Sequence, residues 1–222
     1  MKRFVPSVVI FPVLLFLSNL AFATRSGVLL NFQGLGDLQT VGNFYDGAGL
    51  ASTPNYGITF SSNFYGLRSY LDGGSGVFTP DPTNTTAIFL YGPTGTQMTG
   101  YMNVSSGFST GIQFFYNGTY GQTVTVWSAA NGTGTVLATI TLSPNDTSCT
   151  NFPSYCNWTS VGINFSGIAK SVSFSGPANG LAISDITLGS SSTAIPEPST
   201  IYLLGTGIAG VALGQLRRFF VA

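Results

Sequence analysis

The chain has 222 residues, of which 44% are hydrophobic and 14% aromatic, while only 6% are charged. This composition excludes intrinsic disorder, which requires low hydrophobicity and high net charge, and the length allows one domain with a buried core. The formal net charge is zero and histidine is absent, so nucleic acid is not an expected partner and catalysis or metal binding by imidazole is excluded.

The first 23 residues have the organisation of a secretory signal peptide. Lys2-Arg3 precedes an apolar stretch at residues 8–17, and Ala21-Phe22-Ala23 provides a small-x-small cleavage site before Thr24. The apolar stretch has about ten residues, whereas roughly 20 are needed to span a bilayer, which disfavours the alternative of a membrane anchor. We therefore expect a signal peptide at 1–23 and a mature domain over residues 24–193.

Residues 24–193 favour an all-β domain, because short β-type runs alternate with Gly, Asn and Pro and no helical periodicity is sustained. Asn117-Gly118, Asn131-Gly132 and Asn179-Gly180 are predicted turns, since both residue types tolerate positive φ. The first two turns are predicted to join three strands in a meander. Alternating polarity predicts sheets with one buried and one exposed face, packed in two layers. Strands are predicted at 27–32, 57–61, 76–78, 87–91, 112–116, 122–128, 136–142, 161–165, 171–175 and 181–188.

The last predicted strand changes the parity of its apolar residues. Leu181 and Ile183 have odd numbers, whereas Ile186 and Leu188 have even ones. A single register cannot bury all four side chains, so we predict a β-bulge near Ser184-Asp185.

The two cysteines, Cys149 and Cys156, lie seven residues apart between two predicted strands. In an exported chain a disulfide is the expected state of such a pair. A reactive or metal-binding pair is the disfavoured alternative, because the chain has no histidine or third cysteine to complete a zinc site.

The acidic residues of the domain leave two interpretations open. Two facing carboxylates could hydrolyse a glycosidic bond, so a secreted carbohydrate-active enzyme with paired Asp residues is the alternative to a non-enzymatic protein. Most of these residues adjoin Gly or Pro in predicted loops, which favours solvated turn residues, and we predict no catalytic residue. No cofactor is predicted, although oxygen ligands for a structural Ca²⁺ could come from Asp37, Asp46, Asp72 and Asp185. Six aspartates oppose three cations in residues 24–193, a net charge of −3: Asp37, Asp46, Asp72, Asp81, Asp146 and Asp185 against Arg25, Arg68 and Lys170.

Aromatic residues supply the candidate ligand contacts. Rings that carry a polar group combine apolar area with hydrogen bonding, which makes Trp127, Trp158, Tyr116 and Tyr120 candidates for contact with polysaccharide. The alternative is that both tryptophans belong to the hydrophobic core.

Seven Asn-x-Ser/Thr triplets could mark glycosylated surface positions. Asn117 and Asn131 are predicted in turns and Asn164 on an exposed face, which agrees with that interpretation. The alternative is that a chain rich in Asn, Ser and Thr produces such triplets by chance. The triplets begin at Asn84, Asn103, Asn117, Asn131, Asn145, Asn157 and Asn164.

The C-terminal end combines a short motif, an apolar segment and two cations. Pro196-Glu197-Pro198 is followed by residues 201–216, which carry no charge, and then by Arg217-Arg218. The prolines prevent a continuous helix through the motif, which is therefore expected to be extended and accessible. By the positive-inside rule Arg217-Arg218 form a cytoplasmic basic anchor, and residues 24–195 lie across the membrane from them.

These features resemble the PEP-CTERM sorting signal of bacterial exosortase substrates. The resemblance implies a Gram-negative host, recognition by an exosortase, removal of the tail near the motif and delivery to a surface rich in exopolysaccharide. It also implies a sorting segment at 194–222 with a single transmembrane helix. Residues 55–61 and 180–188 are similar to segments of the jelly-roll ectodomains that often accompany this tail, which implies an antiparallel, jelly-roll-like β-sandwich.

The sequence thus predicts an exported cell-surface or extracellular-matrix protein that is not an enzyme and associates with exopolysaccharide. Its expected partners during export are signal peptidase and the exosortase, with the inner membrane holding the C-terminal helix before processing.

Overall fold

The computed structural model of the chain describes residues 27–47, 54–79, 85–146 and 155–189. These ranges contain strands and two short 3₁₀ turns, Tyr70–Asp72 and Ala130–Gly132. Within them no helix is long and apolar enough to cross a bilayer. In chain order the strands are β1 (Val28–Leu30), β2 (Tyr45–Asp46), β3 (Asn55–Phe60), β4 (Phe64–Arg68), β5 (Thr86–Leu90), β6 (Gln97–Phe108), β7 (Gly111–Gly118), β8 (Gln122–Trp127), β9 (Val136–Leu142), β10 (Thr159–Asn164), β11 (Ala169–Pro177) and β12 (Leu181–Leu188).

The strands form two antiparallel sheets. Sheet A has the order β10-β7-β12-β5-β4, with β1 paired to the last residues of β12. Sheet B has the order β2-β3-β6-β11-β8-β9. From β5 to β8 the chain alternates between the two sheets, and it does so again from β10 to β12. The predicted all-β, antiparallel sandwich is confirmed.

The core lies between the sheets and is rich in phenylalanine. Phe174 on β11 of sheet B contacts Phe64 and Phe114 of sheet A edge to face, with ring centroids 5.8 and 5.7 Å apart. All three rings are fully buried. Burying a side chain of this size stabilises the fold by about 1.5–3 kcal/mol, so this contact between the sheets is a large part of what holds the layers together.

Three local predictions are confirmed by the backbone. Asn131 and Asn179 have φ of 55° and 58° in the turns that follow β8 and β11. The register of β12 against β7 shifts between Ser184 and Thr187, where Asp185 has a φ of 48°. This bulge lets the apolar residues on both sides of it reach the core, as the change of parity requires.

Other local predictions are wrong. Asn117-Gly118 is not a turn, because both residues continue β7 and pair with β12. The predicted meander does not form: β7 pairs with β10 and β12 in sheet A, whereas β8 pairs with β11 and β9 in sheet B. Residues 76–78 make only isolated bridges. Nor does every sheet have an exposed face, since all five residues of β5 are buried.

Candidate functional site

The outer face of sheet A, which points away from the core, is partly covered by two loop segments. Ala87 on β5 and Ala182 on β12 lie on this face and pack against Phe78 in a second hydrophobic cluster. Their strand neighbours Ile88 and Ile183 belong to the main core, as alternation along a strand requires. We call residues 75–79 and 155–158 the cover. Side chains at the margin of the cluster are Leu67, Tyr155 and Trp158.

Hydrogen bonds hold the two halves of the cover together and to the sheet. Thr79 N donates to Tyr155 O at 3.0 Å, and the indole Nε1 of Trp158 donates to Thr79 O at 2.7 Å. The buried hydroxyl of Ser69, just after β4, donates to Phe78 O at 2.7 Å. The cover is therefore a built part of the fold with a fixed position over sheet A.

A cavity of about 170 Å³ lies between the cover and sheet A. Its lining is mostly apolar and aromatic, with a few polar groups, which is the usual constitution of a small-molecule site. The lining residues are Leu67, Ser75, Gly76, Val77, Phe78, Phe89, Tyr155, Asn179, Leu181 and Ala182.

Asn179 lines this cavity and is held by hydrogen bonds of its amide. Its Nδ2 donates to Gly92 O at 2.7 Å and to Thr94 Oγ1 at 3.2 Å. Because Gly92 O can only accept, these bonds fix the orientation of the amide. The Oδ1 atom is buried and has no hydrogen-bond partner.

A row of aromatic rings leads from the cavity to solvent. Phe89, which lines the cavity, has its centroid 5.8 Å from that of Tyr91, and Tyr91 lies 4.8 Å from Tyr65. Tyr91 is 49% exposed. The row arises because Tyr65 and Phe89 are paired residues of β4 and β5. It offers apolar ring faces together with phenolic hydroxyls next to Phe89, which lines the cavity.

Charged groups near the cavity form one small network. The carboxylate of Asp37 accepts Arg68 N at 2.8 Å and Ser75 N at 3.0 Å. The guanidinium of Arg68 pairs with Asp72 at 2.7 Å. Hydrogen bonds from Arg68 and from the Thr85 hydroxyl hold the pKa of the Asp72 carboxyl below its usual value. Both carboxylates are therefore occupied by hydrogen bonds.

The outer face of sheet A also buries polar side chains that lack partners. Asn117 on β7 is 0% exposed, and neither atom of its amide is hydrogen-bonded. Ser184, 1% exposed, lies diagonally across from it on β12 and its hydroxyl is also unpaired. Burial raises the pKa of the Asp146 carboxyl, whose Oδ2 has no partner. The predicted exposure of Asn117 as a glycosylation site is thus wrong, because the residue lies inside β7.

The structure separates the four aromatic residues that the sequence singles out. Trp127 is on β8 of sheet B and donates Nε1 to Ser173 Oγ at 2.9 Å. Trp158 belongs to the cover and packs on Phe78 with centroids 5.6 Å apart. Tyr116 is buried and donates its hydroxyl to a backbone carbonyl, that of residue 143. Tyr120 is 48% exposed in the loop after β7.

The candidate calcium ligands are dispersed. Asp37 and Asp72 belong to the network around Arg68, whereas Asp46 lies on β2 of sheet B and Asp185 in the bulge of β12. In the described part of the chain no group of three or more acidic, cysteine or histidine residues could hold a metal ion.

Several predicted residues fall outside the described ranges. They include Cys149, the motif Pro196-Glu197-Pro198, Arg217 and Arg218, as well as the signal peptide. Cys156 is described, and none of the described cysteines is free. Its pairing with Cys149 stays a prediction.

Sequence reasoning does not single out the residues that form the cavity and its mouth. One sequence signal was available. Residues 87–91 are apolar or aromatic at odd and at even positions, so that Ala87, Phe89 and Tyr91 would lie on one face and Ile88 and Leu90 on the other. Such a pattern indicates a strand buried on two faces. The omitted residues are Tyr65, Phe89, Tyr91, Tyr155 and Asn179.

Comparison with protein families gives one match, to the PEP-CTERM protein-sorting motif at residues 194–218. The chain carries the PEP-CTERM sorting motif. This confirms the resemblance drawn from the motif, the apolar segment and the terminal arginines. No curated protein matches this chain.

Solved structures are similar to the β-sandwich of this chain. A family 6 carbohydrate-binding module is 17% identical over 75% of this chain and 95% of its own, with a TM-score of 0.39. The module TmCBM61, solved with beta-1,4-galactotriose, is 12% identical over 66% and 94%, with a TM-score of 0.37. An adhesin domain of Lys-gingipain from Porphyromonas gingivalis is 13% identical over 58% and 93%, with a TM-score of 0.34. At these values the likeness concerns the fold and says nothing about a ligand.

Proposed function

We propose that this protein is exported, sorted through its PEP-CTERM motif, and binds polysaccharide at the cell surface or in the matrix without catalysing a reaction. The binding site would be the cavity under the cover together with the Tyr65–Tyr91 row. The observation that carries the binding part is the exposed aromatic row of Tyr65 and Tyr91, which joins a mostly apolar cavity through Phe89.

The site has the chemical groups that a sugar ring requires. One face of a sugar ring is apolar and stacks on aromatic side chains, while its hydroxyls need directed hydrogen-bond partners. Tyr91 and Phe89 supply ring faces, and the exposed Tyr91 supplies a phenolic hydroxyl as a hydrogen-bonding group. Trp158 would act by supporting the cover, since its indole N–H is already bonded to Thr79 O.

The matched motif at residues 194–218 supports the sorting route. In this proposal residues 1–23 are removed by signal peptidase, residues 24–193 form the exported domain, and residues 194–222 hold the chain in the inner membrane with Arg217 and Arg218 on the cytoplasmic side. The exosortase then removes the tail. Fractionation of cells with and without the exosortase, followed by mass spectrometry of the mature C-terminus, tests this route. A final product that keeps Arg217-Arg218 would instead mean a permanent anchor.

The hydrogen bonds of the aspartates near the site support a non-enzymatic role over a glycoside hydrolase. A general acid needs a carboxyl whose pKa is raised. The pKa of Asp72 is lowered by Arg68 and Thr85, and both oxygens of Asp37 accept backbone N–H groups. Each is already engaged in holding the loop around Arg68.

Retention on a panel of the host's exopolysaccharides tests the binding site. We expect Tyr91→Ala and Tyr155→Ala to weaken retention about tenfold or more, as is usual when a central aromatic contact is truncated. Trp127→Phe on sheet B is the matched aromatic control and should be retained like the wild type. Wild-type retention by both tyrosine variants would move the site elsewhere. If the wild-type protein is retained on none of the polymers, the glycan function is wrong.

A further inference from the structure

A second cavity, of about 170 Å³, lies at one end of the sandwich, and both sheets contribute to its lining. Sheet B supplies residues of β3 and of the last part of β6, and sheet A supplies Val28 on β1 and Leu188 on β12. We call this the end cavity. Leu188 is the last residue of β12, whereas Leu181 and Ala182, at the start of the same strand, line the cavity under the cover. At about 3.3 Å per residue, the lining residues at the two ends of β12 are roughly 20 Å apart.

The floor of the end cavity consists of core side chains. Ile58 on β3, Val104 on β6 and Leu188 on β12 line the cavity, and all three are buried members of the main core. Side chains in a close-packed core have fixed positions. The end cavity is therefore a built part of the fold, as is the cavity under the cover.

An exposed tyrosine forms one wall of the end cavity. Tyr56 on β3 lines it and is 39% exposed. Its ring lies nearly parallel to that of Tyr45, with an interplanar angle of 18° and centroids 6.1 Å apart. Tyr45 is itself buried, and its hydroxyl accepts a hydrogen bond of 2.7 Å from Phe32 N. The fixed Tyr45 thus supports the ring of Tyr56, part of which stays open to a ligand.

Hydroxyl groups form the rim of the end cavity. Ser106, Ser109 and Thr110 line it, at the end of β6 and in the turn to β7. Ser106 and Thr110 are exposed. The Ser106 hydroxyl donates to Gly107 O at 3.3 Å, and the Thr110 hydroxyl donates to Ser109 O at 2.5 Å. A hydroxyl that donates its proton still has lone pairs for accepting, so both groups can accept hydrogen bonds from a ligand.

We infer that the end cavity is a second carbohydrate site, distinct from the cavity under the cover. The inference rests on the proposed function and adds a site to it. A sugar ring needs an aromatic surface for its apolar face and polar partners for its hydroxyls. Tyr56 supplies the first, and Ser106 and Thr110 supply the second. Two sites on one chain are the condition for avidity toward a repetitive polymer.

The number of sugar fragments bound per chain tests the inference. The probe is a set of di- and trisaccharides released from an exopolysaccharide that retains the wild type, titrated by calorimetry into the intact chain in detergent. We expect two fragments on the wild type and one on Tyr56→Ala, because truncation removes the aromatic wall of the end cavity. Tyr91→Ala, which affects the other site, should also leave one. Leu29→Ala is the control, because Leu29 is exposed on β1 but does not line the end cavity, and it should leave two.

The outcomes separate the two sites. One fragment on the wild type that Tyr56→Ala does not affect overturns the inference and leaves the proposed function intact. One fragment that is lost in Tyr56→Ala and kept in Tyr91→Ala supports the end cavity and overturns the proposed site under the cover. If no exopolysaccharide of the panel retains the wild type and none of their fragments binds, the proposed function is wrong and the inference with it.

Hydrogen exchange of the wild type gives a measurement that does not depend on the folding of a variant. Bound fragments should slow amide exchange at residues 104–110, beside the end cavity, as well as at residues 75–79 of the cover. Slowing that is confined to residues 75–79 overturns the inference.

Discussion

The outer faces of the two sheets differ in how their polar groups are satisfied. On sheet B hydroxyls and amides bond to one another across strands: Thr99 Oγ1 lies 2.9 Å from Ser175 Oγ, and Trp127 Nε1 donates to Ser173 Oγ at 2.9 Å. The outer face of sheet A is partly covered: Ala87 and Ala182 pack under the cover, Gln113 Nε2 donates to Ser160 Oγ at 3.0 Å, and Asn117 has no partner.

The difference indicates on which face the fold carries the cost of unsatisfied polar side chains. A buried polar group without a partner costs about 1–3 kcal/mol, so natural folds keep few of them. The hydroxyls and indole named on the outer face of sheet B are paired, although Gln122 Oε1 at the start of β8 is buried without a partner. Sheet A keeps the side chains of Asn117 and Ser184 buried without partners on its outer face.

The largest expected effect is on the cover. Phe78→Ala should lower the free energy of unfolding by about 3–5 kcal/mol, because it removes a ring that is 2% exposed and packs between Ala87, Ala182 and Trp158. Urea denaturation measures the loss. Leu71→Ala, at a side chain that is 61% exposed, is the control and should cost under about 0.5 kcal/mol. A loss below about 1 kcal/mol for Phe78→Ala would mean that the cover does not pack on sheet A.

The same substitution on the two faces should have opposite signs. Asn117→Leu on sheet A replaces an unpaired buried amide and should stabilise the fold by about 1–2 kcal/mol. Asn103→Leu on sheet B breaks two hydrogen bonds with Asn131, of 2.8 and 2.7 Å, and should destabilise it by about 1 kcal/mol. Chemical denaturation of both variants provides the comparison, and equal signs would contradict it.

The hydrogen bond of Trp127 should contribute a smaller amount. Trp127→Phe leaves the hydroxyl of Ser173, 4% exposed, without its indole donor and should cost about 1 kcal/mol. A double-mutant cycle with Ser173→Ala isolates the pair, for which we expect a coupling of about 0.5–1.5 kcal/mol. A coupling near zero would show that sheet B does not depend on this bond.

The smallest effect concerns the buried carboxyl of Asp146. Burial raises its pKa, so the stability linked to its protonated form is present at low pH and is lost as pH rises through the folded-state pKa. Asp146→Asn should therefore melt above the wild type near neutral pH, with the difference shrinking in acid. Thermal melts across this range test the sign. Asp72→Asn is the contrast, because a lowered pKa gives the wild type its advantage at neutral pH.

The candidate site was only partly accessible to sequence reasoning. Trp158 was singled out as a ring for ligand contact, but its indole N–H supports the cover. The surroundings of Tyr91 and Asn179 come from distant parts of the chain. Tyr91 contacts Tyr65 on β4, and Asn179 donates to Gly92 O in the loop after β5. Such neighbours are far apart in the chain, and no local pattern encodes them.

The sequence by itself determined what depends on near neighbours. Short alternating runs predicted strands, and two of the three Asn-Gly pairs are turns as predicted. The change of parity between Ile183 and Ile186 predicted the bulge. Only the tertiary structure decided which sheet each strand joins and which face is covered. The pair Asn117-Gly118 is compatible with a turn or with an extended strand. It is part of β7 because it pairs with Ala182 and Leu181 on β12. The physical reason is that pairing partners compete across the whole chain, whereas turn and parity preferences act within a few residues.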